Sequence, residues 1–342
     1  MKKRIAINGF GRIGRTVLKI SLLPPYNEQL EIVAVNDLGD VQNLAYLVKY
    51  DSVYGTIPQD VSVIEREGKP YIKIDKQEIL VCSEREPSNL PWGSLGIDVV
   101  IESTGFFTST EKSQAHITAG AKRVVISAPT KDETPMITPA LNEELLKDVV
   151  ISSNASCTTN ATNPVAAVIH EALGIEKALL STVHAYTATQ SLVDGMADPS
   201  DLRRGRAGAQ NIIPSTTGAA KAVSKVIPDL TNKFDGVAVR VPVVAGSLID
   251  LTMLVSRDTT VDEINQILTN AAESEKWKGI LGVTKDPIVS TDILKSSYGS
   301  LVALDMTQVV DGDLIKVMAW YDNEWSYTSM LMKHVSTVLN LL

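Results

Sequence analysis

Short apolar segments alternate with segments of helical periodicity through the first 156 residues of the chain. The apolar segments have the length of buried strands, and the segments between them place their apolar residues on one face of a helix. Strands that alternate with helices form a parallel sheet, whose ligands bind beyond the carboxyl ends of the strands. The predicted strands are 4–8, 31–37, 97–103, 122–129 and 148–156, with helices at 15–23 and 110–120.

After residue 156 the pattern changes, and closely spaced apolar strands predominate. Strands that follow one another at short intervals favour antiparallel or mixed pairing. A helical stripe is formed by Val261, Ile264, Ile267 and Leu268. The predicted strands are 178–186, 236–243, 246–256, 300–306 and 314–322, with helices at 158–174, 261–275 and 326–342.

The segment GFGRIG, at residues 9–14, joins the first predicted strand to the first predicted helix. In a dinucleotide site Gly9 allows a tight turn, Gly11 lets backbone N–H groups approach a pyrophosphate, and Gly14 lets the helix pack on the sheet. Asp37, which ends the next strand, is suited to accept hydrogen bonds from both ribose hydroxyls and thus favours NAD over NADP. A purely structural glycine turn is the alternative interpretation.

These patterns together predict an α/β protein of two domains. Residues 1–156 form a Rossmann domain with a doubly wound parallel sheet, and an α+β domain with a largely antiparallel or mixed sheet begins at residue 157. A chain of 342 residues is long for one hydrophobic core, which agrees with two domains.

Composition is that of an ordinary globular protein, with 44% hydrophobic and 21% charged residues. A formal net charge of −8 argues against nucleic acid or an anionic membrane as a partner. No apolar run approaches the ~20 residues that span a bilayer, and the N-terminal segment lacks the pattern of a signal peptide. Cys82 and Cys157 lack metal-type spacing, so we expect no metal site and a reducing, cytoplasmic location.

Cys157 lies between a predicted strand and a predicted helix, in the segment SNASCTTN. A helix N-terminus lowers the pKa of a thiol, but by less than about one unit, so a further partner is expected. His184 ends an apolar strand, where α/β enzymes carry functional groups, although a structural role is equally open. The other histidines, His116, His170 and His334, lie within predicted helices and are interpreted as packed or solvated.

Several residues after Cys157 are suited to bind anions. Thr216, Thr217 and Gly218 come directly before a predicted helix, and Arg240 interrupts an apolar strand. An ordinary helix cap and a solvated arginine are the alternatives. Together with Arg203, Arg204 and Arg206 in DLRRGR, these residues make a phosphorylated substrate credible.

The motifs GFGRIGR, SNASCTTN, HAYTATQ, DLRRGRAGAQNIIPSTTGAAKAV and WYDNEWSY resemble type I phosphorylating glyceraldehyde-3-phosphate dehydrogenases from end to end. The resemblance implies that Cys157 is the nucleophile and His184 the acid/base group. It implies oxidation of glyceraldehyde 3-phosphate with NAD and inorganic phosphate, through a hemithioacetal and a thioester, to 1,3-bisphosphoglycerate. It also implies a catalytic domain at 157–320 and an NAD-binding domain completed by residues 321–342.

Further residues are implied by matching positions in the family. The family's binding site for the attacking phosphate corresponds to Ser156, Thr158, Thr217 and Gly218. Its binding site for the substrate phosphate corresponds to Thr187 and Arg240, with Arg204 nearby. The cofactor contacts correspond to Arg12, Ile13, Asp37, Arg85, Ser127 and Asn323. The family forms homotetramers, in which the loop at about 185–209 lies against a neighbouring subunit.

The chain departs from the family pattern at two places that bear on function. Ala161 stands where many relatives have a second cysteine, so Cys157 has no local disulfide partner. The loop at 194–204 is longer than in common bacterial members, and this loop helps to select NAD over NADP. Erythrose-4-phosphate dehydrogenase is an alternative, but it departs from the STTG that is intact here at 215–218. A non-catalytic NAD-binding regulator is a second alternative. Such a protein would be expected to have lost the thiol, the histidine or a phosphate-site residue, and all of these are present.

Overall fold

A computed structural model describes residues 2–342, which divide into two compact units. The first unit contains the chain up to Ile137 together with Glu143–Ala155 and Leu331–Leu342. The second unit contains Thr138–Asn142 and Ser156–Met330. The functional domain boundaries implied by the family resemblance stay a prediction.

The first unit is built on a parallel sheet that is extended at one edge by antiparallel strands. The strand order is β3-β4-β5-β2-β1-β6-β7-β8, and all pairs from β5 to β8 are parallel. The doubly wound α/β arrangement is therefore confirmed. Its strands are β1 Lys3–Asn8, β2 Leu30–Asn36, β3 Val61–Arg66, β4 Lys69–Ile74, β5 Gln77–Cys82, β6 Val99–Glu102, β7 Arg123–Ile126 and β8 Ile151–Ser153, and its helices are α1 Arg12–Ser21, α2 Tyr26–Gln29, α3 Val41–Lys49 and α4 Thr110–Thr118.

The antiparallel edge was not predicted, although the sequence contains a signal for it. Glu67 and Gly68 join β3 to β4 with φ values of 51° and 73°. Two residues with positive φ between alternating segments are typical of a tight hairpin turn. This hairpin places antiparallel strands beside the parallel part of the sheet.

Polar side chains cross the carboxyl ends of the central parallel strands. Asn36 Nδ2 donates to Asn8 Oδ1 at 2.7 Å, and Asn8 Nδ2 donates to Glu102 Oε2 at 2.5 Å. His116 Nε2 lies 3.1 Å from the same carboxylate oxygen, and Trp92 Nε1 donates to His116 Nδ1 at 3.1 Å. His116 is thus a packed histidine, as predicted, and it supports the edge of the sheet where ligands of such folds bind.

The second unit contains a mixed sheet, as predicted. The strand order is β10-β11-β9-β12-β16-β14-β13, with β15 paired to β16. The β9–β11 and β13–β14 pairs are parallel, and the other pairs are antiparallel. Its helices are α5 Cys157–Leu173, α6 Ala219–Val226 and α7 Val261–Glu273, and its strands are β9 Ile175–Ala185, β10 Ile213–Thr216, β11 Phe234–Val241, β12 Ser247–Val255, β13 Leu281–Thr284, β14 Ser300–Ala303, β15 Gln308–Val310 and β16 Leu314–Tyr321.

One face of this mixed sheet packs against the helices of the second unit. The buried core combines alternate residues of β9, β12 and β16 with apolar residues of α5, α6 and α7. In α7 the predicted stripe is only partly correct, because Ile264 and Leu268 are buried whereas Val261 is exposed. On the opposite sheet face Leu179 and Val237 are exposed.

The last helix, α8, extends from Trp325 to Asn340. Its residues from Leu331 onward belong to the first unit. There His334 is buried and its Nε2 lies 2.9 Å from Ser152 Oγ. Over residues 2–342, no helix combines the length and the apolar character that a bilayer crossing needs.

Candidate active site

Cys157 is the first residue of α5 and lies beside His184 near the end of β9. Ser156 caps the helix, and its Oγ accepts a hydrogen bond from the Thr159 N–H at 3.1 Å. Alternate residues of β9 face the helix-covered side of the sheet, among them Leu180, Thr182 and His184. His184 Nε2 consequently approaches Cys157 Sγ to 3.3 Å.

The other ring nitrogen of His184 is held by the backbone and by Arg240. Arg240 is the register partner of His184 in the parallel β9–β11 pair. His184 Nδ1 lies 2.6 Å from the carbonyl oxygen of Ala185 and 2.7 Å from Arg240 Nη1, which can only donate. In the tautomer whose proton lies on Nδ1 and faces the Ala185 oxygen, Nε2 presents its lone pair to the Cys157 thiol. The same carbonyl oxygen accepts a second hydrogen bond from Arg240 Nη1 at 3.2 Å.

Burial and the charge of Arg240 act on the pKa values of both members of this pair. Burial and the nearby Arg240 guanidinium lower the pKa of His184 to about 3. Burial also raises the pKa of the Cys157 thiol, against the opposing effects of Arg240 and of hydrogen bonds at the start of α5. The sequence predicted a thiol pKa lowered by the helix N-terminus together with a further partner. That expectation omitted desolvation, which is the largest influence on this sulfur.

The anion-binding candidates of the second unit lie on short turns and strand ends. Gly218 precedes α6 without a side-chain cap, and Thr217 Oγ1 accepts from the Ala219 N–H at 3.2 Å. Arg204 Nε donates to Asp201 at 3.1 Å and to Ser215 at 3.1 Å, which holds the arginine in place.

Two further candidates retain hydrogen-bonding capacity. Thr187 Oγ1 lies 3.0 Å from Thr189 Oγ1. Arg240 Nε is buried and lacks a hydrogen-bond partner among the described residues. A buried guanidinium N–H without a partner is costly, so this group is suited to receive an anionic ligand.

A crevice in the first unit has the shape that a dinucleotide requires. A Cβ on Gly9, where φ is +90°, would lie 2.6 Å from the Thr104 backbone nitrogen, and one on Gly14 would lie 2.3 Å from the Gly9 oxygen. A Cβ on Gly11 would meet nothing within 4 Å, so the backbone there faces open space. The adjoining cavity of about 560 Å³ is lined by Asn8, Gly9, Gly11, Asn36, Asp37, Leu38, Glu84, Arg85, Ser103, Thr104, Phe106 and Phe107.

Asp37 and the start of α1 complete the fit of this crevice to NAD. Asp37 Oδ2 accepts from the Phe10 N–H and Oδ1 accepts from the Gly39 N–H, each at 2.8 Å. Each oxygen keeps a lone pair for a ribose hydroxyl. The first turn of α1 has no side-chain cap, so its N–H groups suit a pyrophosphate. The residues present therefore fit the cofactor.

The remaining cofactor candidates lie outside the lining of this cavity. The Arg12 side chain pairs with Asp51 at 3.0 Å, and Ile13 lies in the first turn of α1. Ser127 follows β7, and its N–H donates to the Glu102 oxygen at 2.8 Å. Asn323 belongs to the second unit, where its Oδ1 accepts from the Gly246 N–H and from Ser247 Oγ, each at 3.0 Å.

Comparison with known proteins agrees with this geometry. Residues 3–110 match the family model of the glyceraldehyde 3-phosphate dehydrogenase NAD binding domain, and residues 156–323 match that of the C-terminal domain. The glyceraldehyde-3-phosphate dehydrogenase of Borreliella burgdorferi is 47% identical over 336 residues, which cover 96% of this chain and 97% of that protein. Those of Clostridium acetobutylicum (48% over 334 residues, 96% of each chain) and Pseudomonas aeruginosa (47% over 333 residues, 97% of each chain) are similarly close. The chain belongs to the glyceraldehyde-3-phosphate dehydrogenase family.

Membership of the glyceraldehyde-3-phosphate dehydrogenase family makes the chain an NAD-dependent oxidoreductase. The match to the NAD binding domain covers Gly9, Gly11 and Asp37, and the match to the C-terminal domain covers Cys157 and His184. Over residues 2–342, no group of three or more histidine, cysteine, aspartate or glutamate residues is arranged to hold a metal ion.

Sequence reasoning missed several residues that hold the site of this dehydrogenase together. Tyr321 packs edge-on against His184, with ring centroids 5.8 Å apart and an interplanar angle of 76°. Asp201 and Ser215 hold Arg204. Alternation in β16 indicates that Tyr321 is an inward position, but its neighbour on β9 depends on strand order, which the sequence does not give.

Proposed function

We propose that this chain oxidises glyceraldehyde 3-phosphate to 1,3-bisphosphoglycerate with NAD and inorganic phosphate. The contact of 3.3 Å between Cys157 Sγ and His184 Nε2 carries the proposal. A thiol with a neutral imidazole beside it is the arrangement that a covalent acyl-transfer mechanism needs. Sulfur attacks an aldehyde readily and later leaves readily, so one residue serves oxidation and phosphorylation.

In the first step Cys157 Sγ forms a bond to the aldehyde carbon of the substrate. The thiol proton passes to the lone pair of His184 Nε2, in the tautomer that carries its ring proton on Nδ1. The aldehyde π electrons move to oxygen, and the backbone N–H of Cys157 at the start of α5 is a donor for the developing oxyanion. His184 then returns the proton to that oxygen, which gives a hemithioacetal.

In the second step His184 removes the hydroxyl proton while the carbon loses a hydride. Bound NAD supplies the hydride acceptor. Loss of the proton and the hydride leaves a thioester on Cys157. A phosphate oxygen then attacks the thioester carbon, the carbon–sulfur bond breaks, and the proton held by His184 returns to the sulfur.

The attacking phosphate and the substrate phosphate are proposed to bind to different groups of residues. The attacking phosphate is assigned to Ser156, Thr158, Thr217 and Gly218, supported by the uncapped start of α6. The substrate phosphate is assigned to Thr187, Arg204 and Arg240. The buried Arg240 Nε without a partner in the described chain supports this second assignment.

NAD is proposed to be held through the residues predicted from the sequence. Asp37 receives the adenosine ribose hydroxyls, and the backbone of Gly11, Arg12 and Ile13 receives the pyrophosphate. Gly9 and Gly14 shape the turn. Arg85 is assigned to the adenosine part of the cofactor, and Ser127 to the part that lies at the carboxyl end of the sheet. The Oδ1 of Asn323 is already bonded, so its Nδ2 is the donor available to a carboxamide oxygen.

The proposed working form is a cytoplasmic homotetramer. The loop between β9 and β10 exposes large apolar side chains that are costly to leave in water, which supports coverage by a second copy. These side chains are Leu192, Val193, Met196 and Leu202, with exposures of 83%, 73%, 100% and 71%. Sedimentation equilibrium gives the mass directly, and a monomer at micromolar concentration would contradict the assembly.

One assay separates this function from its nearest rival. NADH formation is followed at saturating glyceraldehyde 3-phosphate or erythrose 4-phosphate, with and without inorganic phosphate. We expect rapid, phosphate-dependent turnover of glyceraldehyde 3-phosphate. A preference for erythrose 4-phosphate, or turnover that is independent of phosphate, would contradict the proposal. Absence of turnover with both substrates would indicate a non-catalytic NAD-binding protein.

A further inference from the structure

One wall of the dinucleotide crevice packs directly on the glycine turn. This wall, called the crevice wall below, consists of the cavity-lining residues Ser103, Thr104, Phe106 and Phe107. Ser103 Oγ donates to the Gly9 carbonyl oxygen at 2.7 Å. The Thr104 backbone nitrogen lies where a Cβ on Gly9 would come within 2.6 Å of it. A displacement of Thr104 would therefore change the shape of the turn side of the crevice.

A buried carboxylate holds Thr104 in this place. Glu102, the last residue of β6, is 1% exposed and lies outside the lining of the cavity. Its Oε1 accepts from the Thr104 N–H at 2.8 Å and from the Thr104 hydroxyl. Thr104 Oγ1 in turn accepts from the Phe106 N–H at 3.0 Å. The single hydroxyl proton of Thr104 is thus directed at Glu102, and the oxygen orients the next part of the crevice wall.

The other carboxylate oxygen is held by donors from behind the crevice wall. Asn8 Nδ2 donates to Glu102 Oε2 at 2.5 Å, and His116 Nε2 lies 3.1 Å from the same oxygen. Trp92 Nε1, which can only donate, lies 3.1 Å from His116 Nδ1. His116 Nδ1 therefore accepts, and the ring proton lies on Nε2, where it faces Glu102. The His116 ring also meets the Phe107 ring edge-on, with centroids 6.2 Å apart and an interplanar angle of 72°.

We propose that Glu102 is a positioning residue that sets the crevice wall in its binding shape before NAD binds. Both carboxylate oxygens are saturated by donors, and those on Oε1 come from the wall itself. A wall that is ordered in advance removes a conformational cost that NAD binding would otherwise carry. The inference rests on the proposed placement of NAD in this crevice and deepens it.

The test replaces Glu102 with glutamine, which keeps the shape of the side chain. An amide has one acceptor oxygen, so its NH₂ group must face either the Thr104 N–H or the donors of Asn8 and His116. Hydrogen–deuterium exchange of the Thr104 and Phe106 amides is measured in the ligand-free protein, and the Kd for NAD by isothermal titration calorimetry. We expect exchange to be faster by about fivefold or more and the Kd to rise about 5- to 50-fold.

Asp98→Asn is the matched control at the opposite end of the same strand. Asp98 is buried directly before β6, and it accepts from the Arg4 N–H at 2.8 Å and from Lys122 Nζ at 2.7 Å. Its loss should leave the Kd for NAD within about twofold of wild type. The rate of Cys157 alkylation by iodoacetamide should be unchanged in Glu102→Gln and in the control, because Cys157 belongs to the second unit. A general loss of structure would alter this rate as well.

Substitutions at Thr104 and Trp92 keep the test independent of the stability of Glu102→Gln. Thr104→Val removes the hydroxyl and should raise the Kd, whereas Thr104→Ser keeps the hydroxyl and should bind NAD nearly as the wild type does. Trp92→Phe removes the N–H that orients His116, and we expect a smaller rise. The combination of Glu102→Gln with Thr104→Val should lose less affinity than the two separate losses together, because Glu102 acts through Thr104.

Several results would overturn the proposal. These are a wild-type Kd in Glu102→Gln, an equal rise in Asp98→Asn, equal losses in Thr104→Val and Thr104→Ser, and weakened binding with wild-type exchange of the crevice wall. Neither readout uses a sugar phosphate. A chain that shows both effects but fails to oxidise glyceraldehyde 3-phosphate would refute the proposed function and leave the role of Glu102 standing. Turnover with unaltered exchange and NAD binding in Glu102→Gln would refute only the role of Glu102.

Discussion

Arg240 and His184 occupy paired positions on adjacent parallel strands, and Arg240 Nη1 lies 2.7 Å from His184 Nδ1. The cation therefore lies on the side of the ring that faces away from Cys157. Burial and this cation lower the pKa of the imidazole and so disfavour a second proton on it, and Arg240 Nη1 also donates to the Ala185 carbonyl oxygen. Arg240 thus keeps His184 in its basic form, in addition to its proposed contact with the substrate phosphate.

Replacing Arg240 with leucine should affect substrate binding most. Loss of a charge-assisted hydrogen bond to phosphate should raise the KM for glyceraldehyde 3-phosphate by roughly 10- to 100-fold. The KM for inorganic phosphate should change less, because that ion is assigned to other residues. Steady-state kinetics with each substrate varied in turn checks this, and a KM for glyceraldehyde 3-phosphate within twofold of wild type would refute the assignment.

Replacing His184 with asparagine should remove the base while keeping a polar group of similar reach. We expect turnover to fall by roughly 10²–10⁴-fold, and alkylation of Cys157 at neutral pH to slow. Pre-steady-state NADH formation and iodoacetamide kinetics measure the two effects. His170→Asn, at the far end of α5, is the matched control. Unchanged alkylation in His184→Asn would argue against a functional thiol–imidazole pair.

Replacing Asp37 with alanine should narrow the preference for NAD over NADP. The carboxylate is assigned to the ribose hydroxyls of NAD and would repel the 2′-phosphate of NADP. The ratio of kcat/KM for NAD to kcat/KM for NADP should therefore fall by about tenfold or more in the variant. Asp37→Asn removes the charge and keeps one side-chain oxygen, which can accept from either the Phe10 or the Gly39 N–H group. An unaltered ratio in both variants would exclude Asp37 from cofactor choice.

His334 should make the protein less stable in acid. Burial lowers its pKa to about 3 in the folded chain, whereas an unfolded histidine has a pKa of about 6.5. Below pH 6.5 the unfolded chain binds the additional proton, so folding stability falls as the pH decreases toward 3. The loss is about 2 kcal/mol at pH 5 and only about 0.2 kcal/mol at pH 7.

The comparison of His334→Gln with wild type isolates this effect. Thermal unfolding of both proteins is measured at pH 7 and pH 5. The variant should lose less stability between the two pH values, even if it is less stable at pH 7. Equal losses would mean that His334 does not contribute the predicted proton linkage.

The features that could be predicted from the sequence are mostly local. The turn at Gly9, Gly11 and Gly14 is encoded by residues that are neighbours in the chain, and the structure shows close approaches at Gly9 and Gly14 and open space at Gly11. The strand and helix around Cys157 follow from an apolar run and a capping serine. Local patterns of strands and helices also predicted the parallel sheet of the first unit and the mixed sheet of the second.

The remainder depends on pairing between distant segments. Arg240 meets His184 because β11 lies beside β9 in a particular register, over a separation of 56 residues. Tyr321 reaches Thr158 across 163 residues. Burial of the thiol, which reverses the expected direction of its pKa shift, is likewise a property of the packed unit. The catalytic and binding roles of these residues stay proposals.

The covalent acyl intermediate on Cys157 can be detected directly. The protein is mixed with NAD and glyceraldehyde 3-phosphate without inorganic phosphate, quenched in acid, and analysed by peptide mass spectrometry alongside Cys157→Ser. We expect a burst of about one NADH per subunit and an acyl group on the Cys157 peptide, both absent from the variant. An acyl group on another residue, or a burst of normal size from Cys157→Ser, would rule out Cys157 as the nucleophile.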